Sequence, residues 1–123
     1  MSYAERHRLT LVTDASGDVT GHTPAVTGRL IAIVYTKDTY DAGVDFAITA
    51  EATGEGIWTE SDVNASATRA PRQPTHDNVG AASLYAGSGE PVEDYIVLAQ
   101  DRVKIVVSSG GNVKSGQFDV IIG

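Results

Sequence analysis

The chain contains no cysteine, which excludes disulfides and thiolate metal sites. It also lacks any apolar run near the ~18 residues of a membrane helix. The longest such run, Leu30 to Tyr35, is strand-sized. Basic residues are scarce, with nine Lys and Arg against 16 Asp and Glu, for a net charge of −7. A sequence-independent nucleic-acid binder neutralises phosphates with a basic footprint, so no direct nucleic-acid contact is expected. The acidic balance argues instead for solubility. Helical periodicity is almost missing. The strongest helix candidate, Ala81 to Ala86, is too short to stand alone. The segment Met1 to Arg8 is polar and charged and carries none of the apolar stretch of a secretory signal. Synthesis in the cytoplasm without membrane association is the expectation.

What is present is punctuation and β-formers. Thirteen glycines divide segments rich in Val, Ile, Thr and Tyr, the pattern of short strands joined by turns. At 123 residues the chain fits one domain, and such a chain can bury roughly two-thirds of its unfolded surface. The first strand is expected from His7 to Val12, followed by a tight turn over Asp14 to Asp18. There Gly17 supplies a positive φ and Asp14 caps the backbone. Val19 to His22 is expected to pair back as the second strand of a hairpin. Leu30 to Tyr35 is apolar at consecutive positions, so both of its faces should be covered. Val44, Phe46 and Ile48 alternate with Asp45, Ala47 and Thr49, which marks a half-buried strand.

Further strands are expected at Ile57 to Thr59, Ala82 to Tyr85, Tyr95 to Ala99, Val103 to Ser108 and Gly116 to Ile122, with a turn over Ser108 to Asn112. Residues 60–80 hold few apolar anchors and two prolines, the composition of a long loop. The sum is an all-β chain: a compact β-sandwich or barrel of about eight short antiparallel strands. Residues 1–123 form a single domain, with residues 1–8 as an N-terminal arm and residues 60–80 as a long loop or arm.

No catalytic pattern emerges. His7, His22 and His76 are far apart in sequence; only His7 and His22 could approach, across the first hairpin. No Gly-x-Ser-x-Gly elbow occurs. Gly87-Ser88-Gly89 and Ser108 to Gly111 do not open helices, as a phosphate cradle requires. Asp38, Asp41, Gly43 and Asp45 have the oxygen content of a calcium loop but not its order. Glu90, Glu93 and Asp94 form an acidic cluster without the aromatic surroundings of a sugar cleft. The expectation is a binding protein and not an enzyme, with no cofactor and no metal.

Three stretches carry a resemblance. They are Leu9 to Gly17 with Thr27 to Leu30 behind it, Val63 to Arg72, and Gln100 to Val107 leading into Gly110 to Gly116. Together they resemble small virion structural proteins encoded among the head genes of tailed bacteriophages. The resemblance implies a capsid decoration (cement) protein on the virion surface. Such a protein binds the major capsid protein, copies of itself, or both, as trimers at local three-folds or singly at hexamer centres. A head-completion or tail structural role is the near alternative. A carbohydrate- or ligand-binding sandwich is a further one, and it would need Trp58 with Tyr85 or Tyr95 on one exposed face. The residues singled out for partner contact are Arg6 and Arg8 in the N-terminal segment, Arg69, Pro71 and Arg72 in the long loop, and Trp58.

Overall fold

The structure is a computed structural model and describes residues 4–123. Ten strands and no helix form among them: β1 (Glu5–Val12), β2 (Val19–His22), β3 (Val26–Lys37), β4 (Asp45–Ala50), β5 (Gly56–Glu60), β6 (Ala67–Arg69), β7 (Arg72–Pro74), β8 (Glu93–Asp101), β9 (Val103–Ser108) and β10 (Ser115–Ile122). They build two antiparallel sheets, a six-stranded one ordered β1-β10-β3-β8-β7 and a four-stranded one ordered β2-β9-β4-β5. The sixth strand of the larger sheet, β6, also pairs with β3. The architecture is therefore a sandwich and not a barrel.

Period-2 alternation explains the packing between the sheets. In β9, Val103, Ile105 and Val107 are wholly buried, while Lys104, Val106 and Ser108 between them are half-buried. In β10, Phe118, Val120 and Ile122 face inward the same way. At the centre, Tyr35, Phe46 and Phe118 meet edge to face, with ring centroids 4.7 to 5.1 Å apart. That geometry suits the ring quadrupole better than a face-to-face stack. Tyr40 closes one end of the core and donates its hydroxyl to Leu11 O at 2.7 Å. Burial holds the Tyr40 phenol protonated well above its ordinary range, so this donor stays in place at any ordinary pH. Gly116 is needed for the approach of Tyr40, because a Cβ there would lie 2.3 Å from the ring.

Several expectations change. The Asp14 turn forms as expected, with its carboxylate accepting from Ser16 N and Asp18 N and with Gly17 at φ 86°. The chain leaving it does not return to β1, however. Strand β2 pairs with β9 in the opposite sheet, so the turn is an inter-sheet crossing and not a hairpin. The N-terminal arm is largely a strand, because Glu5 to Arg8 pair with Asp119 to Ile122 of β10; residues 1–3 lie outside the described residues.

The long loop over residues 60–80 is also partly strand. Strand β3 is twelve residues long, and its far edge beyond β8 is left for β6, where Ala67 to Arg69 pair with Ile33 to Tyr35. Strand β7 then steps outward to pair with β8. The strand expected from Ala82 to Tyr85, which overlaps the short helix candidate, reduces to single bridges from His76 to Ala82 and from Leu84 to Pro91.

Candidate docking face and arm

The outer face of the larger sheet follows from register. Residues paired across neighbouring strands point to the same side. Arg8 of β1 is opposite Asp119 of β10, which is opposite Val34 of β3, which is opposite Thr68 of β6. Arg6, Ile121 and Ala32 form the next row. Arg29 is opposite Val97, and Tyr95 is opposite Arg72. Ala32, Val34 and Ile121 are half-buried, and among the described residues no third layer covers them. The consecutive apolar run of β3 is thus packed on one face and only partly shielded on the other.

Arginines dominate this face, and they fall into two kinds. Arg8 Nε donates to Asp119 Oδ1 at 2.9 Å, and Arg6 Nη1 donates to Asp119 Oδ2 at 3.4 Å. Asp119 itself is 3 % exposed, so its charge is compensated beneath two guanidinium groups whose outer edges remain in water. The carboxylate holds the Arg8 proton more tightly than usual through that hydrogen bond. Arg29 and Arg72 differ. Their guanidinium carbons lie 4.9 and 4.2 Å from the centroid of the Tyr95 ring, a cation–π distance. Arg72 Nη1 also donates to Ile31 O and Pro71 O, at 3.2 and 2.8 Å.

Arg69 and Trp58 form a third group, at the open edge between the sheets. Arg69 Nε and Nη2 donate to the two oxygens of Glu60 at 2.9 and 3.0 Å, and Trp58 Nε1 donates to Glu60 Oε1 at 2.9 Å. The guanidinium stands 5.5 Å from the Trp58 ring centroid. These bonds, chiefly from Arg69 and then from Trp58, hold the Glu60 carboxyl below its ordinary range. Because β6 belongs to one sheet and β5 to the other, the bidentate pair ties the sandwich shut. Pro71 joins Ile57, Trp58, Arg69 and Ala70 around a shallow depression of about 180 Å³.

Of the residues singled out from sequence, Arg69, Pro71 and Trp58 are brought together, while Arg6 and Arg8 share the Asp119 clamp. Arg72 sits apart with Tyr95. Sequence reasoning missed Asp119, Glu60 and Arg29 as participants. Asp119 alternates with Phe118 and Val120, which is the pattern of any solvent-facing strand residue. Glu60 sits nine positions before Arg69, a spacing that names no motif. Trp58 is not part of an aromatic platform. It is 6 % exposed and packs edge-on against Phe46 at 5.5 Å, whereas Tyr95 lies on the outer face and Tyr85 lies beyond the sheet.

The projecting element is residues 75–92, between β7 and β8. Its base is a backbone junction: Thr75 N donates to Val92 O, Ser83 N to Thr75 O, and Val92 N to Ser83 O, all at 2.9 to 3.0 Å. Two small lobes grow from it. Asp77 N donates to Ala81 O in the first, and Tyr85 N donates to Glu90 O in the second. The Asp77 carboxylate accepts from Val79 N and Ala81 N, at 2.9 and 3.0 Å, and these bonds hold its pKa below the ordinary Asp value. Hydrogen bonds therefore order the arm, yet most of its side chains face water, with Val79 82 % and Tyr85 76 % exposed. The expected arm at residues 60–80 is displaced toward the C-terminus.

Other candidate chemistry disperses. His7 lies beside Glu5 in one sheet, and His22 Nε2 is 2.7 Å from Glu51 Oε2 at the other, so the two histidines do not meet. Asp38 accepts from Ser115 Oγ, and Asp45 accepts from Asp62 N. Among the described residues no three His, Asp or Glu side chains converge as a metal site. Comparison with known proteins finds no significant match: no family model, no curated protein and no solved structure is similar to this chain.

Proposed function

We propose that the chain is a virion structural protein of the capsid decoration type, which binds the major capsid protein and stabilises the shell. The observation that carries this reading is the arm of residues 75–92. It is ordered by its own backbone hydrogen bonds while holding Val79, Leu84 and Tyr85 out to solvent. Exposed apolar side chains on a preorganised element suit protein contact, since little further ordering is needed on binding. The aromatic side chain supplies contact area at low entropic cost. The stiff sandwich beneath it, with its aromatic core and inter-sheet Arg69–Glu60 tie, is suited to bearing load on a shell.

The test is binding of the purified protein to expanded and unexpanded phage capsids. Saturable binding to expanded shells, at a copy number near that of the local three-folds or hexamers, is the expected result. The variant V79S/Y85S should bind more weakly. Absence of binding to either shell would overturn the proposal.

A further inference from the structure

The six arginines of the chain divide unequally. Four have carboxylate partners: Arg6 and Arg8 on Asp119, Arg69 on Glu60 and Arg102 on Glu51. Among the described residues Arg29 and Arg72 pair with no Asp or Glu: Arg29 Nε donates to Gly123 O at 3.4 Å and Arg72 Nη1 to Ile31 O and Pro71 O, and these two lie together over Tyr95. The patch they make is continuous with Val97, which is 64 % exposed and directly opposite Arg29 in register. It combines two cations that face no Asp or Glu among the described residues with an open apolar side chain.

The complementary chemistry is elsewhere in the same chain. Residues 73–101 contain no Lys or Arg and hold Asp77, Glu90, Glu93, Asp94 and Asp101. Glu90 and Glu93 are exposed and form no ion pair among the described residues. The lobe carrying Glu90 also carries Tyr85, so it offers an acid beside an exposed apolar ring. A net charge of −7 disfavours indiscriminate self-association, so contact between copies needs local pairing of opposite charge. The arm and the patch provide it.

We propose that the Arg29–Arg72–Val97 patch receives the arm of a second copy of this chain, with Glu90 set against the arginines and Tyr85 against Val97. The proposal rests on the assembly reading and shares the arm with it; what it adds is the patch, a surface that reading does not use. Every copy bears both halves of the contact, so the pairing joins copies without any other component.

The experiment is sedimentation of the full chain over a range of concentrations, with thermal melting to verify folding of each variant. The wild type should self-associate reversibly. E90R and R29E should each raise the dissociation constant about tenfold or more, as loss of a close interfacial charge pair does. The double variant E90R/R29E should recover association, and so should an equimolar mixture of the two single variants. A wild type that stays monomeric at millimolar concentration, or a double variant no better than either single, would overturn the pairing. Capsid binding is read separately. A strict monomer that saturates expanded shells sinks this inference and leaves the decoration reading standing. A self-associating chain that ignores shells does the reverse.

Discussion

The sandwich body and the arm of residues 75–92 are built from the same kind of sequence but held together in different ways. The body hides its apolar side chains: Leu30, Ile33, Phe118 and Val120 are fully buried, and its strands pair across long sequence separations. The arm hides almost none. Its order comes from the Thr75–Ser83–Val92 junction and the Asp77 turn. A hydrogen bond contributes about 1 kcal/mol net to stability, whereas a buried aromatic side chain contributes several times that. The body is where folding free energy resides, and the arm is free to be specialised for contact. A segment can be ordered without being a source of stability.

That contrast is sharpest in the core. Phe118→Ala removes a ring that meets both Tyr35 and Phe46 and should destabilise the body by about 3–5 kcal/mol, read from denaturant unfolding. Gly116→Ala should destabilise by about 1–3 kcal/mol, because the added methyl meets the Tyr40 ring and overpacks the core end. In thermal melting that variant should show a lowered midpoint with the arm's contacts intact.

Acid should act more weakly, through the Arg69–Glu60 tie. The folded state lowers the Glu60 pKa from the ordinary 4.5, so the bridge's contribution is fully present above that pH. It is lost as pH falls through the lowered value, where the folded carboxyl takes up its proton. The melting difference between wild type and Glu60→Gln should therefore be constant near neutrality and shrink below pH 4.5. A difference that grows on acidification would contradict the assigned pairing. At the weakest end, V79S/Y85S should change unfolding free energy by no more than about 0.5 kcal/mol. If these two arm substitutions destabilise the chain as a core substitution does, the division between body and arm is wrong.

The legible parts of the sequence were those governed by local physics. Alternation at Val44, Phe46 and Ile48, and at Phe118, Val120 and Ile122, identified strands and their buried faces. The Asp14–Gly17 turn was read from residue chemistry that acts within five positions. What failed was pairing. Val19 to His22 was read as the return strand of β1 because a tight turn preceded it, yet β2 joins β9, more than eighty positions away. Residues 67–74 looked like loop because three-residue strands carry too little pattern to register. Only the unoccupied edges of β3 and β8 make them strands.

The candidate site shows the same boundary. Arg6, Arg8, Arg69 and Arg72 were visible as dense positive charge, but their roles were not. Two of them guard Asp119 from more than a hundred positions away, one bridges the sheets, and one sits beside Arg29 over the Tyr95 ring.

By itself the sequence determined the all-β class, the absence of disulfides, the inward residues of the long strands and the turn chemistry, since each depends on residue type or on neighbours a few positions apart. Tertiary structure decided which strands share a sheet, where the arm projects, and which two arginines face no Asp or Glu among the described residues. Those outcomes depend on contacts between distant segments, whose partners are chosen by the packing of the whole chain.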